Sequence, residues 1–195
     1  MIIVPGKFIF VGSPRSGSHF ISDGLQAAFP DAIRTKEHHS FIRDVLLERS
    51  LRGNLPIYSI CREPVNWVFS FYYNLFRKYE DIPITTTFTQ FIEGKKPQNV
   101  QYNRATDFPP GHLCTYQNVT TKYFPFEKNF KRFFDFIGVD VDALIANGLK
   151  ASRQPEPEYL ERRASISVSD RLLVEKYFKK DLSIYKAALN DTSKR

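Results

Sequence analysis

The chain has 195 residues, is 42% hydrophobic with 18 phenylalanines, and carries a formal net charge of +7. That length and apolar content support one domain with a real core and exclude an intrinsically disordered chain. No apolar run reaches the roughly 18 to 20 residues of a membrane-spanning helix, which excludes a bundle of such spans.

In chain order, residues 7–11 (KFIFV) read as a strand, residues 12–17 as a glycine-bearing break, and residues 18–29 as an amphipathic helix. Residues 32–36 are a second expected strand. Phe41, Ile42, Val45 and Leu46 stand at helical spacing within 39–52, ahead of Gly53-Asn54. Residues 56–61 (PIYSIC) are the third strand, and Pro64 suits the first turn of an aromatic-rich helix over 65–79. The stretch 80–111 holds four prolines and reads as a loop-rich insert with one short helix at 88–93. A fourth strand is expected at 119–124, and helices at 127–137 and 141–147. Residues 153–158 read as a loop with two prolines. A final helix is expected from a Ser169 cap to about Leu189, with Asp170 in its first turn. Alternating strands and helices argue for an α/β fold, three layers with a central parallel sheet flanked by helices, in a single domain over 1–195.

The start of the chain lacks a basic region ahead of its apolar stretch, so no signal peptide is expected. Two cysteines, Cys61 and Cys114, build neither a disulfide framework nor a metal site and fit a reducing, cytoplasmic compartment. The basic residues form no run of five or more, which favours a localised anion pocket over a nucleic-acid-binding tail.

Two segments carry chemistry. Gly12-Ser-Pro-Arg-Ser-Gly17-Ser18 has the spacing of a phosphate loop between a strand and a helix, where backbone N–H groups curl around a phosphate and the helix dipole assists. Ser18 stands where a nucleoside-triphosphate loop has lysine, and Arg15 supplies a charge inside the loop. Taken alone, a bare glycine turn is as good a reading. The second segment places Arg62 at the end of a strand, then Pro64, then Ser70 about two helical turns into the next helix. An arginine at that edge of a parallel sheet, with a hydroxyl from the next helix, can clamp a second phosphate. Arg62 paired with a carboxylate such as Glu63 is the competing structural reading.

Together these segments resemble the PAPS-dependent sulfotransferase superfamily, PAPS being 3'-phosphoadenosine 5'-phosphosulfate. Pro14-Arg-Ser-Gly-Ser18-His19 is similar to its 5'-phosphosulfate loop, and Arg62, Pro64 and Ser70 to its 3'-phosphate motif. The match is strong over about residues 7 to 76 and weaker at Phe126-Glu127 and the F-x-x-F-I-G that follows. His19 replaces the family's small hydroxyl residue, and the late R-K-G signature of cytosolic members is missing, with Arg153 its nearest substitute. The resemblance implies that Arg15, Ser16, Gly17, Ser18 and His19 hold the phosphosulfate. It implies that Arg62 and Ser70, with Arg153 as a third contact, hold the 3'-phosphate.

Sulfuryl transfer needs a base for the acceptor proton and cations on the leaving phosphate. Lys36-Glu37-His38-His39 offers both. A K-x-H pattern resembles the cytosolic branch, with His38 as base and Lys36 assisting departure. K-E-x-H resembles the glycosaminoglycan branch, with Glu37 as base. His38 is the preferred choice, because imidazole titrates near ~6.5 and Glu37 needs burial to compete. Arg15 joins Lys36 on the leaving group. The expected co-substrate is PAPS, with no metal. The acceptor is open among glycan, lipid, small alcohol and protein, and the 80–111 insert is the expected cover of its site. Two rival readings remain: a P-loop nucleotide kinase or phosphotransferase, and a non-enzymatic polyanion-binding domain.

Overall fold

The structure is a computed structural model that describes residues 1–12, 15–35, 42–78, 87–93, 120–126, 130–150 and 155–191. Among these residues five strands form one sheet in the order β3-β1-β2-β4-β5: β1 (Ile2–Val4), β2 (Phe8–Val11), β3 (Ile33–Arg34), β4 (Ile57–Cys61) and β5 (Lys122–Pro125). β2, β4 and β5 run parallel, with Ile9 opposite Ile57 and Ile60 opposite Phe124. β1 pairs antiparallel with both β2 and β3. The expected parallel centre is present, extended by an antiparallel edge.

β1 is an element the sequence reading did not include. The chain reverses at Val4-Pro5-Gly6-Lys7, where Lys7 N–H donates to the Val4 carbonyl at 3.0 Å and Gly6 has φ 68°. A left-handed glycine third is the requirement of a type II turn, and proline second is common there. The hairpin sets Val4 opposite Phe8. The strand expected at 32–36 is described at Ile33–Arg34 and lies outside β1, away from the parallel strands.

Among the described residues the helices are α1 (Ser18–Ala28), α2 (Ile42–Leu51), α3 (Pro64–Lys78), α4 (Phe88–Ile92), α5 (Lys131–Phe136), α6 (Val141–Ala146), α7 (Pro157–Ala164), α8 (Val168–Tyr177) and α9 (Lys179–Asn190). Alternate strand residues face opposite ways. Phe8, Phe10, Ile60 and Phe124 pack with Ile21 and Leu25 of α1, Phe133 and Phe134 of α5, and Val141 of α6. On the other face Ile9, Val11 and Ile57 pack with Val45 of α2, and Cys61 with Ile184, Tyr185 and Ala188 of α9. Helices thus cover both faces, giving the three layers expected. α3, α4 and α8 form a further cluster around Val65, Trp67, Val68, Phe91, Val174 and Phe178.

Three expectations about the C-terminal third need correction. The stretch read as loop at 153–158 contains the start of α7, because Pro157 sits in its first turn, where a missing N–H costs nothing. The expected final helix is two helices that break at Phe178 (φ −107°, ψ 30°), whose buried ring packs against Trp67. The cap is Ser167 and not Ser169. The Ser167 hydroxyl accepts from the Asp170 backbone N–H at 3.1 Å, the three-residue reach of an N-cap, while Ser169 already lies inside the helix.

Candidate functional site

Three parallel strands deliver their C-terminal ends to one side of the sheet. β2 runs into Gly12, β4 into Arg62 and β5 into Phe126. This is the edge of an α/β sheet where ligand crevices form.

The loop after β2 is tightly turned. Arg15 (φ 59°) and Gly17 (φ 69°) both hold left-handed backbone, which is unusual for a side-chain-bearing residue such as arginine. Ser16 between them and Ser18 after them are buried, whereas Arg15 and His19 are exposed. Gly17 is the N-cap residue of α1 and puts no side chain over that helix end. A Cβ there would also strike the Phe130 ring, coming within 2.6 Å of Cε1. Glycine is therefore required twice, for its φ and for the aromatic ring behind it.

Arg62 and Ser70 come to this loop from β4 and α3. Pro64 opens α3, and the Glu63 carboxylate caps it by accepting from the N–H groups of Val65 (3.1 Å) and Asn66 (2.8 Å). The serine eight residues after Arg62 lies about two turns further along this helix. Ser70 is buried, and its Oγ accepts from Arg15 Nε at 3.3 Å. The Arg62 guanidinium donates through Nη1 to the Arg15 carbonyl at 3.0 Å and through Nη2 to the Tyr159 hydroxyl at 2.9 Å. Its carbon lies 4.6 Å from the centre of the Phe126 ring, a cation–π distance. Arg62 Nε is buried with no hydrogen-bond partner among the described residues. Buried guanidinium donors are costly to leave unmatched.

Tyr159 belongs to α7 and was not expected in the site. Its ring packs edge-on against Tyr73 (centroids 5.1 Å apart) and lies near Phe69 (5.4 Å), both on α3. Tyr73 in turn donates toward Glu156 and Glu158, each at 3.4 Å. Burial pushes the Tyr73 phenol up, and the Glu158 and Glu156 charges push it further, so it stays protonated at neutral pH. The available signal was Pro157 two residues before Tyr159, a helix start that would have turned 153–158 from loop into an element facing α3.

The structure thus brings Arg15, Ser16, Gly17, Ser18, Arg62 and Ser70 together, with His19 one residue into α1. Lys36, Glu37, His38, His39 and Arg153 lie outside the described residues. So does most of the 80–111 insert, of which residues 87–93 are described. There α4 carries a Thr87–Gln90 capping box and buries Phe91 and Ile92. Among the described residues no group of three His, Cys, Asp or Glu side chains could hold a metal, and no helix is long and apolar enough to cross a membrane. The donors at the crevice are guanidinium N–H, hydroxyl and helix-end N–H groups, a set chemically matched to phosphate oxygens.

No protein-family model and no curated protein sequence matches this chain. Solved structures do. Mouse sulfotransferase SULT7A1, complexed with PAP, superimposes with a TM-score of 0.53 at 13% identity over 94% of this chain and 86% of its own. A sulfotransferase from Alicyclobacillus acidocaldarius aligns over 93% of this chain and 98% of its own at 17% identity, with a TM-score of 0.40. The chain therefore has, over nearly its whole length, the three-layer α/β fold seen in the mouse sulfotransferase.

Proposed function

We propose that this protein is a sulfotransferase that moves a sulfuryl group from PAPS to an acceptor hydroxyl or amine. The observation that carries the reading is the Arg15–Arg62–Ser70 cluster at the ends of two parallel strands. A donor with phosphate at both the 3' and 5' positions of one nucleoside suits a site in which two arginines from separate elements meet. The fold shared with a sulfotransferase that carries PAP, the donor without its sulfuryl group, supports the same reading.

In this scheme the turn from Arg15 to His19 and the first N–H groups of α1 take the 5'-phosphosulfate. Arg62 and Ser70, with Arg153, take the 3'-phosphate. His38 accepts the acceptor's proton as the new bond to sulfur forms. The bond from sulfur to the bridging phosphate oxygen breaks on the opposite side. Lys36 and Arg15 stabilise the charge that collects on the departing phosphate, and Glu37 is the alternative base. The 80–111 insert covers the acceptor, whose class is a glycan, lipid, small alcohol or protein side chain.

The test is transfer of labelled sulfate from PAPS across those four acceptor classes. Label should enter one class. His38→Ala should lower turnover by roughly 10²–10⁴-fold with little change in PAP affinity. An inactive Glu37→Gln beside an active His38→Ala would move the base to Glu37. Absence of transfer to every class, together with no PAP binding, would sink the reading.

A further inference from the structure

In the proposed donor site Arg62 is the 3'-phosphate ligand, and neighbouring groups must aim it. An arginine side chain has many rotamers, and one that must present a flat fork to a phosphate gains from being held before the ligand arrives. Arg62 is held on two sides. The Arg15 carbonyl fixes Nη1, and the Tyr159 hydroxyl fixes Nη2. The Phe126 ring lies against the guanidinium carbon at 4.6 Å. These hydrogen bonds occupy two of the five N–H donors of the guanidinium. The buried Nε remains among those not so used.

Of these holders, Tyr159 is the one that hydrogen-bonds Arg62 through a side chain. It is also firmly placed. It is buried, and its ring sits against Phe69 and Tyr73 on the same helix as Ser70. Its hydroxyl is therefore a fixed point to which a mobile guanidinium can be pinned. We propose that Tyr159 is a positioning residue, which holds the Arg62 fork toward the 3'-phosphate and so sets the preference of this site for a 3'-phosphorylated nucleotide over its 3'-hydroxyl counterpart. The proposal rests on the sulfotransferase reading and adds a residue 97 positions from Arg62 to the donor site.

The experiment compares PAP with adenosine 5'-monophosphate by calorimetry on the full chain, in wild type, Tyr159→Phe and Tyr73→Phe. Tyr159→Phe keeps the ring and its packing and removes only the oxygen. The ratio of the two affinities should fall about tenfold, the worth of one hydrogen bond to a charged group. Affinity for adenosine 5'-monophosphate itself should hold. Tyr73→Phe, which removes a neighbouring buried hydroxyl that does not touch Arg62, should keep the wild-type ratio. Equal weakening of both nucleotides by Tyr159→Phe, or the same fall in ratio from Tyr73→Phe, would overturn the positioning role, since either marks general loosening. A wild-type protein with no preference for PAP would instead overturn the donor reading, and this proposal with it.

Discussion

Arg62 ties three elements to the loop after β2. Its guanidinium reaches the Arg15 carbonyl, the Tyr159 hydroxyl and the Phe126 ring from the end of β4. Truncation removes both the charge and the fork, so Arg62→Ala should raise the dissociation constant for PAP by about 100-fold, two hydrogen bonds to a charged group at roughly tenfold each. Arg62→Lys should recover little of this, because a single ammonium cannot span the carbonyl and the phenol together. Titration of PAP into the two variants checks both. At this scale the sequence was informative where residues of the proposed site lie close in the chain. Arg15 and Gly17 share one turn, and Arg62 and Ser70 are separated by about two helical turns. Tyr159 was not legible, because nothing local marks a tyrosine that meets its arginine 97 residues away. The proximity of Arg15 to Ser70 was likewise invisible, since it depends on how α3 packs beside the loop.

Elements were legible where periodicity was long and less so where a few residues decide. α1 and α3 fall close to their expected spans because apolar spacing and a proline start define them. β1 escaped, although Pro5-Gly6 announces a turn, because three apolar residues are too few to show alternation. The cap of α8 is a closer contest. Ser167 and Ser169 both precede an apolar helix, and Asp170 lies at capping distance only from Ser167. Ser167→Ala should therefore lower stability by about 1 kcal/mol, and Ser169→Ala by much less. Urea unfolding of the two variants tells them apart. A second element-level prediction concerns Gly24 on α1. A Cβ there would lie 2.7 Å from Phe134 Cζ, and Phe134 is fully buried against Phe133 and near Phe20. Overpacking of about 1 to 3 kcal/mol outweighs the gain of roughly 1 kcal/mol in helix propensity, so Gly24→Ala should melt below wild type.

Across the whole molecule, the sheet topology explains why distant segments share a site. The crossover from β2 through α1 to β4, and the later one to β5, align three strand ends on one side. α7 then returns the last third of the chain to α3, placing Tyr159 at Arg62. The overall +7 charge pointed to an anion without choosing one. The fold class was readable because strand and helix signals alternate, whereas the antiparallel edge depends on a turn and not on the pattern. What distinguishes a donor pocket from a diffuse basic surface, or from a nucleoside-triphosphate site, is demand for phosphate at both ends of the ribose. Isothermal titration with PAP, adenosine 5'-monophosphate and magnesium ATP measures that demand. One PAP per chain should bind at least 100-fold more tightly than either of the others. Equal affinity for PAP and adenosine 5'-monophosphate, or a preference for magnesium ATP, would contradict the account.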